Sequence, residues 1–417
     1  MNHVIIGNGV AGIRAAMAIR AADRKSSISV VSQETPYFFS RTALMYIAMG
    51  AMRLEDTEPF ERRRYDEMNI SLVHDRALWV DRKSKAVALE HGGALRYDRL
   101  LLATGSVPAM FGWPGADLEG VVNFVSCQDI ERVMALAKKA KHAVIVGGGL
   151  IGIELAEVLR HCGIGVTFLI REPWFWPRAL SREEGALVER LMANEGIRVL
   201  TGTELVSINE KSRKAAGVTT SSSEEIAADI VGITAGVVPD ISLAKNSGIP
   251  ADRGVLVNDR METEVPGIYA AGDCAERKGA GPLSVISIWY AARDMGSTAG
   301  VNMSGGSAVY DPGPWYNSAK FFDLEYTVAG AYLPGDGDET WYREDTGGRA
   351  SVRMVHRGGR VLGFSMIGSR WDHEALLRFI REGLGPDAAL ERLDEARFDA
   401  EFSIPWKPSA GTPGRVR

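Results

Sequence analysis

The chain has 417 residues, which is enough for two or three domains with substantial cores. Hydrophobic residues make up 46% and charged residues 24% of the sequence, which excludes a disordered or fibrous chain. Because 48 Lys and Arg stand against 53 Asp and Glu, the net charge is -5, and no large positive field is available to bind nucleic acid. The densest basic run, Arg62 to Arg64, lies among acidic residues and is interpreted as a solvated helix face.

The three cysteines, Cys127, Cys162 and Cys274, lie too far apart in sequence to form a metal knuckle or a redox pair. The sequence therefore predicts no bound metal and favours a reducing compartment. The apolar residues 4–6 lead directly into glycines, which leaves no room for a cleavable signal, and the apolar run 143–153 is too short to cross a membrane. We expect a cytoplasmic protein without membrane insertion.

The N-terminal residues predict a strand (3–6), a helix (13–22) and a second strand (28–32). The turn between the first strand and the helix carries G-x-G-x-x-G at Gly7, Gly9 and Gly12. In such a unit the glycines allow a tight turn, a close approach of the backbone to a pyrophosphate, and close packing of helix and strand. Glu34, which follows the second strand, is the nearest carboxylate that could hold a ribose diol.

A second unit of the same kind follows, with a strand at 143–146, a helix at 153–160 and a strand at 165–170. Its glycines are Gly147, Gly149 and Gly152. Two such units imply two bound dinucleotides, normally a resident flavin and an exchangeable nicotinamide. An apolar strand that ends at Thr104-Gly105 lies between the units, and a later strand delivers Asp273 to a turn.

The order of these four motifs resembles the FAD-dependent pyridine nucleotide oxidoreductases of the glutathione reductase superfamily, over residues 1 to about 330. Residues 36–44 are similar to the aromatic-x-Arg-Pro-x-Leu segment of rubredoxin and ferredoxin reductases, nitrite reductase flavin subunits and apoptosis-inducing factor, and residues 288–296 fit the same subgroup. The resemblance implies an α/β fold with two Rossmann-like three-layer dinucleotide-binding domains and a C-terminal α+β domain built on an antiparallel sheet. The implied domains are an FAD-binding domain (1–112 and 245–312), an NAD(P)H-binding domain (113–244) and a C-terminal interface domain (313–417).

The same resemblance implies the residues of each site. Those implied to bind FAD are Gly7, Gly9, Val10, Ala11, Gly12, Glu34, Arg41, Ala77, Ala103, Thr104, Gly105, Gly272, Asp273 and Trp289. Those implied to bind the nicotinamide dinucleotide are Gly147, Gly149, Leu150, Ile151, Gly152, Arg171 and Gly236. Glu154 matches the glutamate that the family places near the nicotinamide carboxamide. Two alternatives stay open: Asp273 could cap a helix after Cys274, and Glu154 could be a partly buried helix acid beside Arg160.

The sequence departs from the family pattern at two places. Members that reduce peroxides or disulfides carry a cysteine where this chain has residues 40–42, Ser-Arg-Thr. Cys274 could approach the cofactor, although buried cysteines are common as small apolar residues. Rubredoxin-type reductases often carry a lysine that pairs with the helix glutamate, and here that position is Tyr46. Tyr46 could donate its hydroxyl near the flavin, or it could fill the core.

Coenzyme choice is predicted from the end of the second strand of the second unit. NAD-specific sites place a carboxylate there, whereas this chain has Ile170 and Arg171, and a guanidinium suits a 2'-phosphate. The pattern therefore favours NADPH slightly over NADH. Glu172 could instead pair with Arg171 or bind the diol, and Arg178 could add positive charge. The aromatic residues 174–176 fit core packing, adenine binding or a subunit contact.

From residue 310 the pattern changes to alternating strands at 327–331, 350–356 and 360–367, with an opening strand at 317–320 and a helix at 371–382. The family's third domain has this form and packs over the flavin or against a second subunit, so a homodimer is a candidate assembly. The segment 398–406 could be a docking arm or simply helix and tail.

The function implied is that of an FAD-dependent NAD(P)H oxidoreductase without a catalytic thiol, in which hydride passes from nicotinamide to flavin. A flavin that cannot reduce a cysteine would pass electrons singly to a small carrier such as rubredoxin or ferredoxin. Two alternatives remain: reduction of a small acceptor such as oxygen or a quinone, and a flavoprotein sensor or binding module of the apoptosis-inducing-factor kind. The predicted catalytic residues are Glu154 and Tyr46.

Overall fold

The computed structural model describes residues 1–281, 284–399 and 401. The chain divides into two compact units. The first unit contains residues 1–109, 125–134 and 236–312, and the second contains 110–124, 135–235 and 313–417. Most of the segment 398–406 lies outside the described residues, so its two interpretations remain predictions.

The first unit is built on a parallel sheet of five strands: β1 (Asn2–Ile6), β2 (Ser27–Ser32), β3 (Ile70–His74), β7 (Arg99–Leu102) and β19 (Ile268–Ala270). Their order in the sheet is β19-β7-β1-β2-β3. The central strands are continuous apolar runs because both faces of a parallel sheet are covered. Ile5 and Leu101, for example, are fully buried.

Smaller sheets and short strand pairs complete the first unit. They are formed by β4 (Ala77–Asp81), β5 (Ala86–Leu89) and β6 (Ala94–Arg96), by β8 (Ser106–Pro108) with β17 (Val237–Pro239), and by β18 (Val255–Val257) with β20 (Ala275–Arg277).

Two glycines determine how closely the main helices of the first unit pack. These helices are α1 (Val10–Ala22) and α8 (Trp289–Met303). A Cβ atom at Gly296 would lie 2.2 Å from the carbonyl oxygen of Ala11, and one at Gly300 would lie 2.5 Å from that of Ala15. Larger residues at either glycine would therefore push α8 away from the helix that follows the first glycine turn.

The shorter helices of the first unit are α2 (Leu44–Ala48), α3 (Arg63–Glu67) and α7 (Ser242–Asn246), with 3-10 turns at Arg41–Ala43 and Leu54–Thr57, and α4 (Cys127–Ala137) begins in this unit. The basic run lies at α3 as predicted. Its arginines pair with acidic neighbours, as Arg62 does with Glu58 at 2.8 Å, so a solvated helix face is confirmed.

The second unit contains another parallel sheet, formed by β9 (Val121–Val122), β10 (His142–Val146), β11 (Gly165–Leu169), β12 (Ile197–Leu200) and β16 (Ile230–Ile233). Their order in the sheet is β12-β11-β10-β16-β9. The accompanying elements are α5 (Leu150–His161), α6 (Arg182–Asn194) and a three-stranded sheet of β13 (Leu205–Lys211), β14 (Lys214–Thr220) and β15 (Glu225–Ala227).

The second unit also holds a five-stranded antiparallel sheet, here called the C-terminal sheet, in the order β21-β22-β25-β24-β23. Its strands are β21 (Tyr316–Phe321), β22 (Leu324–Gly330), β23 (Glu339–Glu344), β24 (Ser351–Arg357) and β25 (Arg360–Ile367). One face packs on α9 (His373–Glu382), α10 (Pro386–Glu391) and the 3-10 turn Leu393–Ala396 around the buried Phe364 and Phe379. The predicted fold, with two dinucleotide-binding sheets and an antiparallel C-terminal sheet, is confirmed.

In the described part of the chain, no helix is both long enough and apolar enough to cross a membrane.

His3 is an unusual residue of the first sheet because it is only 1% exposed and neither ring nitrogen has a hydrogen-bond partner among the described residues. Burial, with a smaller contribution from the N-terminal ammonium, lowers the pKa of His3 to about 4. An unfolded chain binds a proton at this position near pH 6.5, whereas the folded chain does not. The free energy of unfolding should therefore fall as the pH drops from 6.5 towards 4.

We expect His3→Leu to reduce this acid sensitivity by about 2 kcal/mol between pH 7 and pH 5, as measured by urea unfolding. His161→Gln, at an exposed position, serves as the matched control and should behave like the wild type. Parallel pH dependences for wild type and His3→Leu would show that His3 is protonated in the folded state.

Candidate functional site

The three glycines of the first turn have distinct physical roles. Gly7 has φ +110°, and a Cβ there would lie 2.1 Å from the carbonyl oxygen of Ala103. A Cβ at Gly12 would lie 1.9 Å from the carbonyl oxygen of Gly7. At Gly9, by contrast, a Cβ would meet no atom of the described chain within 4 Å. The turn is thus closed towards the protein and open at Gly9, the shape that a bound pyrophosphate needs.

The second turn repeats this arrangement in the other unit. Gly147 also has φ +110°, and a Cβ there would lie 2.6 Å from the carbonyl oxygen of Thr234. A Cβ at Gly152 would lie 2.6 Å from the carbonyl oxygen of Gly147, while one at Gly149 would again meet nothing within 4 Å in the described residues. We call the two turns the first and second glycine cradles.

A helix begins directly after each open glycine. Val10 and Ala11 start α1, and Leu150 and Ile151 start α5. Free backbone N–H groups and the positive end of the helix dipole therefore face each cradle, which favours a phosphate there. The residues present fit FAD in the first cradle and a second dinucleotide in the other.

Glu34 and Arg41 form a bidentate ion pair in the first unit, with Arg41 Nη1 at 3.0 Å and Nη2 at 2.5 Å from the carboxylate oxygens. Glu34 also accepts the backbone N–H of Cys127 at 3.0 Å. From the sequence we expected Glu34 to bind a ribose and Arg41 to contact phosphates, and we did not predict that the two side chains pair with each other. The pair holds both side chains beside the turn that follows β2.

A cavity of about 640 Å³ opens beside Glu34. Its lining is mostly polar and consists of Gln33, Glu34, His74, Asp75, Arg76, Glu90, His91, Ser126 and Gln128. Ala77, the residue predicted near adenine, begins β4 directly after Arg76. The volume of this cavity lies in the range of small-molecule sites, and the cavity lies beside the residues predicted to bind the ribose and adenine.

A group of predicted residues converges at the ends of β7 and β19 in the first unit. Asp273 accepts a hydrogen bond from the Ser106 hydroxyl at 2.9 Å, and the Thr104 hydroxyl donates to the carbonyl of Asp240 at 2.7 Å. Burial raises the pKa of Asp273, although the Ser106 hydrogen bond and the charge of Arg41 oppose this shift. Asp273 is therefore a constrained acid held at the edge of the parallel sheet.

Three glycines of the first unit give the chain its turns at this edge. Gly105, Gly236 and Gly272 have φ of +73°, +116° and +80°, which favour glycine at all three. Gly236 accepts the backbone N–H of Ala109 at 3.0 Å, next to the ribbon of β8 and β17.

The alternative in which Asp273 caps a following helix is wrong, because β20 begins at Ala275, directly after Cys274. Asp273 thus lies in a strand-to-strand turn.

Glu154 lies one turn into α5 and is half-buried. Burial, helped by the nearby charge of Glu157, raises the pKa of Glu154 to about 7. In the described part of the chain Glu154 has no ion-pair partner, and Arg160 donates instead to the carbonyl of Ile164 at 3.2 Å. Glu154 is therefore poised to gain or lose a proton near neutral pH, which is a property of functional carboxyls.

Tyr46 and Trp289, two further residues predicted for the flavin site, both lie in the first unit. Tyr46 is half-buried in α2. Trp289 begins α8 and is 40% exposed, with the Arg293 guanidinium 5.6 Å from its ring centroid. Trp289 therefore presents an aromatic surface beside a fixed positive charge.

The three cysteines have the character of structural thiols. Cys274 is fully buried, and its Sγ donates to the carbonyl of Leu102 at 3.4 Å. Burial raises the pKa of all three thiols, for Cys127 to about 11. Thiols with raised pKa values are poor nucleophiles at neutral pH, because the thiolate is the reactive form.

In the second unit, Arg171 pairs with Glu172 at 3.1 Å, an arrangement that the sequence left open. Both side chains remain accessible, with 64% of Arg171 and 31% of Glu172 exposed. Phe175 is fully buried against Phe168, so this part of the aromatic cluster packs in the core. Arg178 is exposed.

Sequence reasoning missed the supporting residues of the first unit. Ser106 follows the recognised Thr104-Gly105 turn, and its bond to Asp273 joins residues 167 positions apart. Cys127 and Gln128 hold Glu34 from 93 and 94 positions away. The position of Ser106 after an apolar strand end was the one sequence signal for its role. The backbone N–H of Cys127 left no such signal, because every residue other than proline carries this donor.

A family model described as "Pyridine nucleotide-disulphide oxidoreductase" matches residues 1–296. The chain is 29% identical over 386 residues to a nitrite reductase (NAD(P)H) of Bacillus subtilis, covering 91% of this chain but only 47% of that protein. It thus spans about half the length of that relative.

Other relatives match over most of their length. The chain is 31% identical over 364 residues to the ferredoxin reductase component of chlorobenzene dioxygenase from a Cupriavidus species, covering 86% of this chain and 87% of that protein. A solved ferredoxin reductase from Rhodopseudomonas palustris shares the fold, with a TM-score of 0.80, 24% identity and coverage of 88% and 91%. The chain therefore belongs to the pyridine nucleotide-disulphide oxidoreductase family.

Proposed function

We propose that this protein is an FAD-dependent NAD(P)H oxidoreductase that passes electrons to a small carrier protein of the rubredoxin or ferredoxin type. The observation that carries the proposal is the pair of open glycine cradles, one in each unit, in a chain in which burial raises the pKa of all three thiols. Two cradles support two dinucleotides, and the absence of a reactive thiol among the described residues favours an acceptor outside the chain.

The residues of the first unit would bind and orient FAD. The backbone N–H groups at the start of α1 would hold the pyrophosphate, Glu34 would bind the ribose with Arg41 beside it, and Asp273 would accept hydrogen bonds from the ribityl chain. Bound FAD would supply the chemistry that accepts a hydride and releases single electrons. Tyr46 would donate its hydroxyl near the flavin ring, and Trp289 would contribute to the cofactor site.

The residues of the second unit would bind the nicotinamide coenzyme. The start of α5 would hold its pyrophosphate, and the carboxylate of Glu154 would accept a hydrogen bond from the nicotinamide carboxamide. Arg171 would bind a 2'-phosphate, which favours NADPH. To do so, the Arg171 guanidinium would either leave Glu172 or contact Glu172 and the phosphate together.

A carrier protein as the acceptor is supported by the likeness to the ferredoxin reductase component of chlorobenzene dioxygenase. Steady-state turnover tests this part of the proposal. NAD(P)H-dependent reduction of added rubredoxin or ferredoxin should be much faster than reduction of oxygen. Faster reduction of oxygen or a quinone would favour the small-acceptor alternative, and slow turnover with every acceptor would favour the sensor. The predicted domain boundaries, homodimer and cytoplasmic location stay proposals.

Substitution of the two open glycines should separate the two binding functions. Gly9→Val should abolish FAD binding, because the side chain would occupy the pyrophosphate position without meeting a described protein atom. Gly149→Val should keep FAD and lose coenzyme binding. Flavin absorbance per protein and calorimetric titration with NADP⁺ measure the two effects, and each variant is the control for the other. Full flavin content in Gly9→Val would contradict the assignment of the first cradle.

Reversal of the charge at Arg171 should change coenzyme preference. Arg171→Glu should weaken NADPH relative to NADH by about 2 to 3 kcal/mol, because one charge-assisted contact is replaced by repulsion. The ratio of kcat/KM for the two coenzymes measures this. Arg198→Glu is a matched control at another exposed ion pair of the same unit and should leave the ratio unchanged. If Arg171→Glu also leaves it unchanged, Glu172 becomes the candidate ribose ligand.

The raised pKa of Glu154 predicts a pH dependence of coenzyme binding. A carboxamide N–H prefers the ionised carboxylate, so binding should lower this pKa and release a proton. The dissociation constant of NAD⁺ should therefore rise about tenfold as the pH falls from 8 to 6. In Glu154→Gln, which cannot ionise, the dependence should be flat while FAD remains bound. Identical pH profiles in the two proteins would exclude Glu154 from the nicotinamide site.

A further inference from the structure

The segment 170–181, here called the coenzyme loop, connects β11 to α6 and carries Arg171 near its start. Its middle is buried in the second unit. The ring of Phe175 lies edge-on to Phe168 with centroids 6.2 Å apart, and its backbone N–H donates to Glu189 at 2.8 Å. The Trp174 ring covers Gly185 of α6, where a Cβ would lie 2.7 Å from Cδ1 of Trp174. The loop is therefore fixed against both the parallel sheet and α6.

Trp176 connects the same loop to the C-terminal sheet. Its φ of +53° lies in the left-handed region, which is unfavourable for a residue with a side chain. Its ring packs on that of Tyr326, in β22, with centroids 5.4 Å apart. Backbone strain of this kind persists only where surrounding contacts hold it in place. The Tyr326 ring is such a contact.

A buried ion pair makes the second connection between the loop and the C-terminal sheet. Glu184 and Arg353 are 0% and 1% exposed, and Nε and Nη2 of Arg353 lie 2.9 and 2.7 Å from Oε2 of Glu184. The same oxygen accepts the backbone N–H of Ser181 at 2.8 Å, and the Ser181 hydroxyl accepts the N–H of Glu184. Through Glu184, Arg353 thus holds Ser181, the residue at which the coenzyme loop ends and after which α6 begins.

The strained backbone of Trp176 and the buried pair of Glu184 with Arg353 constrain geometry more than they stabilise the fold. A buried ion pair stabilises a fold little more than apolar residues of similar size, since both charges lose their hydration. An ion pair does, however, fix direction and distance. The strained Trp176 and the Glu184 pair both constrain the loop that carries Arg171, and both do so through the C-terminal sheet.

We propose that Trp176 and Glu184 are positioning residues through which Tyr326 and Arg353 of the C-terminal sheet set the place of Arg171, and with it the choice between coenzymes with and without a 2'-phosphate. The inference rests on the proposed function, because it takes Arg171 as the group that meets the 2'-phosphate. It assigns to the C-terminal sheet a role in coenzyme selection.

The experiment uses flavin-loaded protein and two probes, adenosine 2',5'-bisphosphate and adenosine 5'-monophosphate, whose binding is measured by calorimetry without turnover. Trp176→Gly should relieve the backbone strain, keep the fold and free the loop. We expect it to weaken the bisphosphate about tenfold and the monophosphate less than twofold, because a misplaced contact loses most of its effect. Trp176→Phe, which keeps a ring against Tyr326, should restore the wild-type ratio.

A second pair of variants changes Tyr326, the residue of the C-terminal sheet that contacts Trp176. Tyr326→Leu should reproduce the selective loss seen in Trp176→Gly, while Tyr326→Phe should not. Arg190→Ala removes an exposed ion pair, Arg190 with Glu344 at 2.9 Å, that also joins α6 to the C-terminal sheet, and it should change neither affinity.

Three results would overturn the inference. Wild-type affinities in both Trp176→Gly and Tyr326→Leu would show that the loop keeps its place without the sheet. Equal weakening of both probes together with a lower melting temperature would show a merely structural role. If the wild type itself binds the two probes equally, Arg171 does not meet a 2'-phosphate, and that part of the proposed function fails together with this inference.

Discussion

The close approach of backbone to backbone at the two glycine turns is the constraint on which the rest of the structure depends. At Gly7 and Gly147 the carbonyl oxygen of a neighbouring strand end occupies the space where a side chain would begin. This approach lets each helix start directly above its sheet, with free N–H groups directed at open space. A side chain at either glycine would separate the helix from the sheet. The site residues on the helix and on the strand ends would then no longer keep their positions relative to one another.

The acids and thiols near these turns have a consistent chemical character. Burial raises the pKa values of Asp273 and Glu154, and for Glu154 the value of about 7 lies near neutral pH. Burial also raises the pKa values of the thiols, which suppresses their nucleophilic form. The chain thus offers one acid, Glu154, that can hold or release a proton near neutral pH, and it offers no activated sulfur among its three cysteines.

Short-range patterns explain why much of the fold could be predicted. A glycine turn between an apolar strand and a helix is encoded within about thirty residues, so both cradles and their flanking elements were readable. Four of the five strands of the C-terminal sheet were visible from alternating patterns, whereas its edge strand β23 was not predicted. The helix predicted at 371–382 begins at His373, because Asp372 caps it by accepting the N–H of Glu374.

Long-range pairings account for what the sequence could not provide. The bond that Arg41 donates to Glu34 depends on the conformation of an irregular segment, and Glu34 is also held by the backbone N–H of Cys127. The pairing of Glu184 with Arg353 joins residues 169 positions apart, and each looks like an ordinary surface residue of an amphipathic element. Charged residues are rarely buried, so a pattern-based interpretation assigns both to solvent.

The central claim is that electrons pass through a flavin and through no thiol of this chain. An anaerobic reductive titration of the flavin-loaded protein tests it most directly, since it counts the electrons that the protein takes up before the flavin is fully reduced. The account predicts two electrons per bound FAD, and the same number after the cysteines have been alkylated. Uptake of four electrons per FAD in the untreated protein, falling to two after the cysteines have been reduced and alkylated, would contradict it, because an oxidised sulfur, either a disulfide or a sulfenic acid, would then take the extra two.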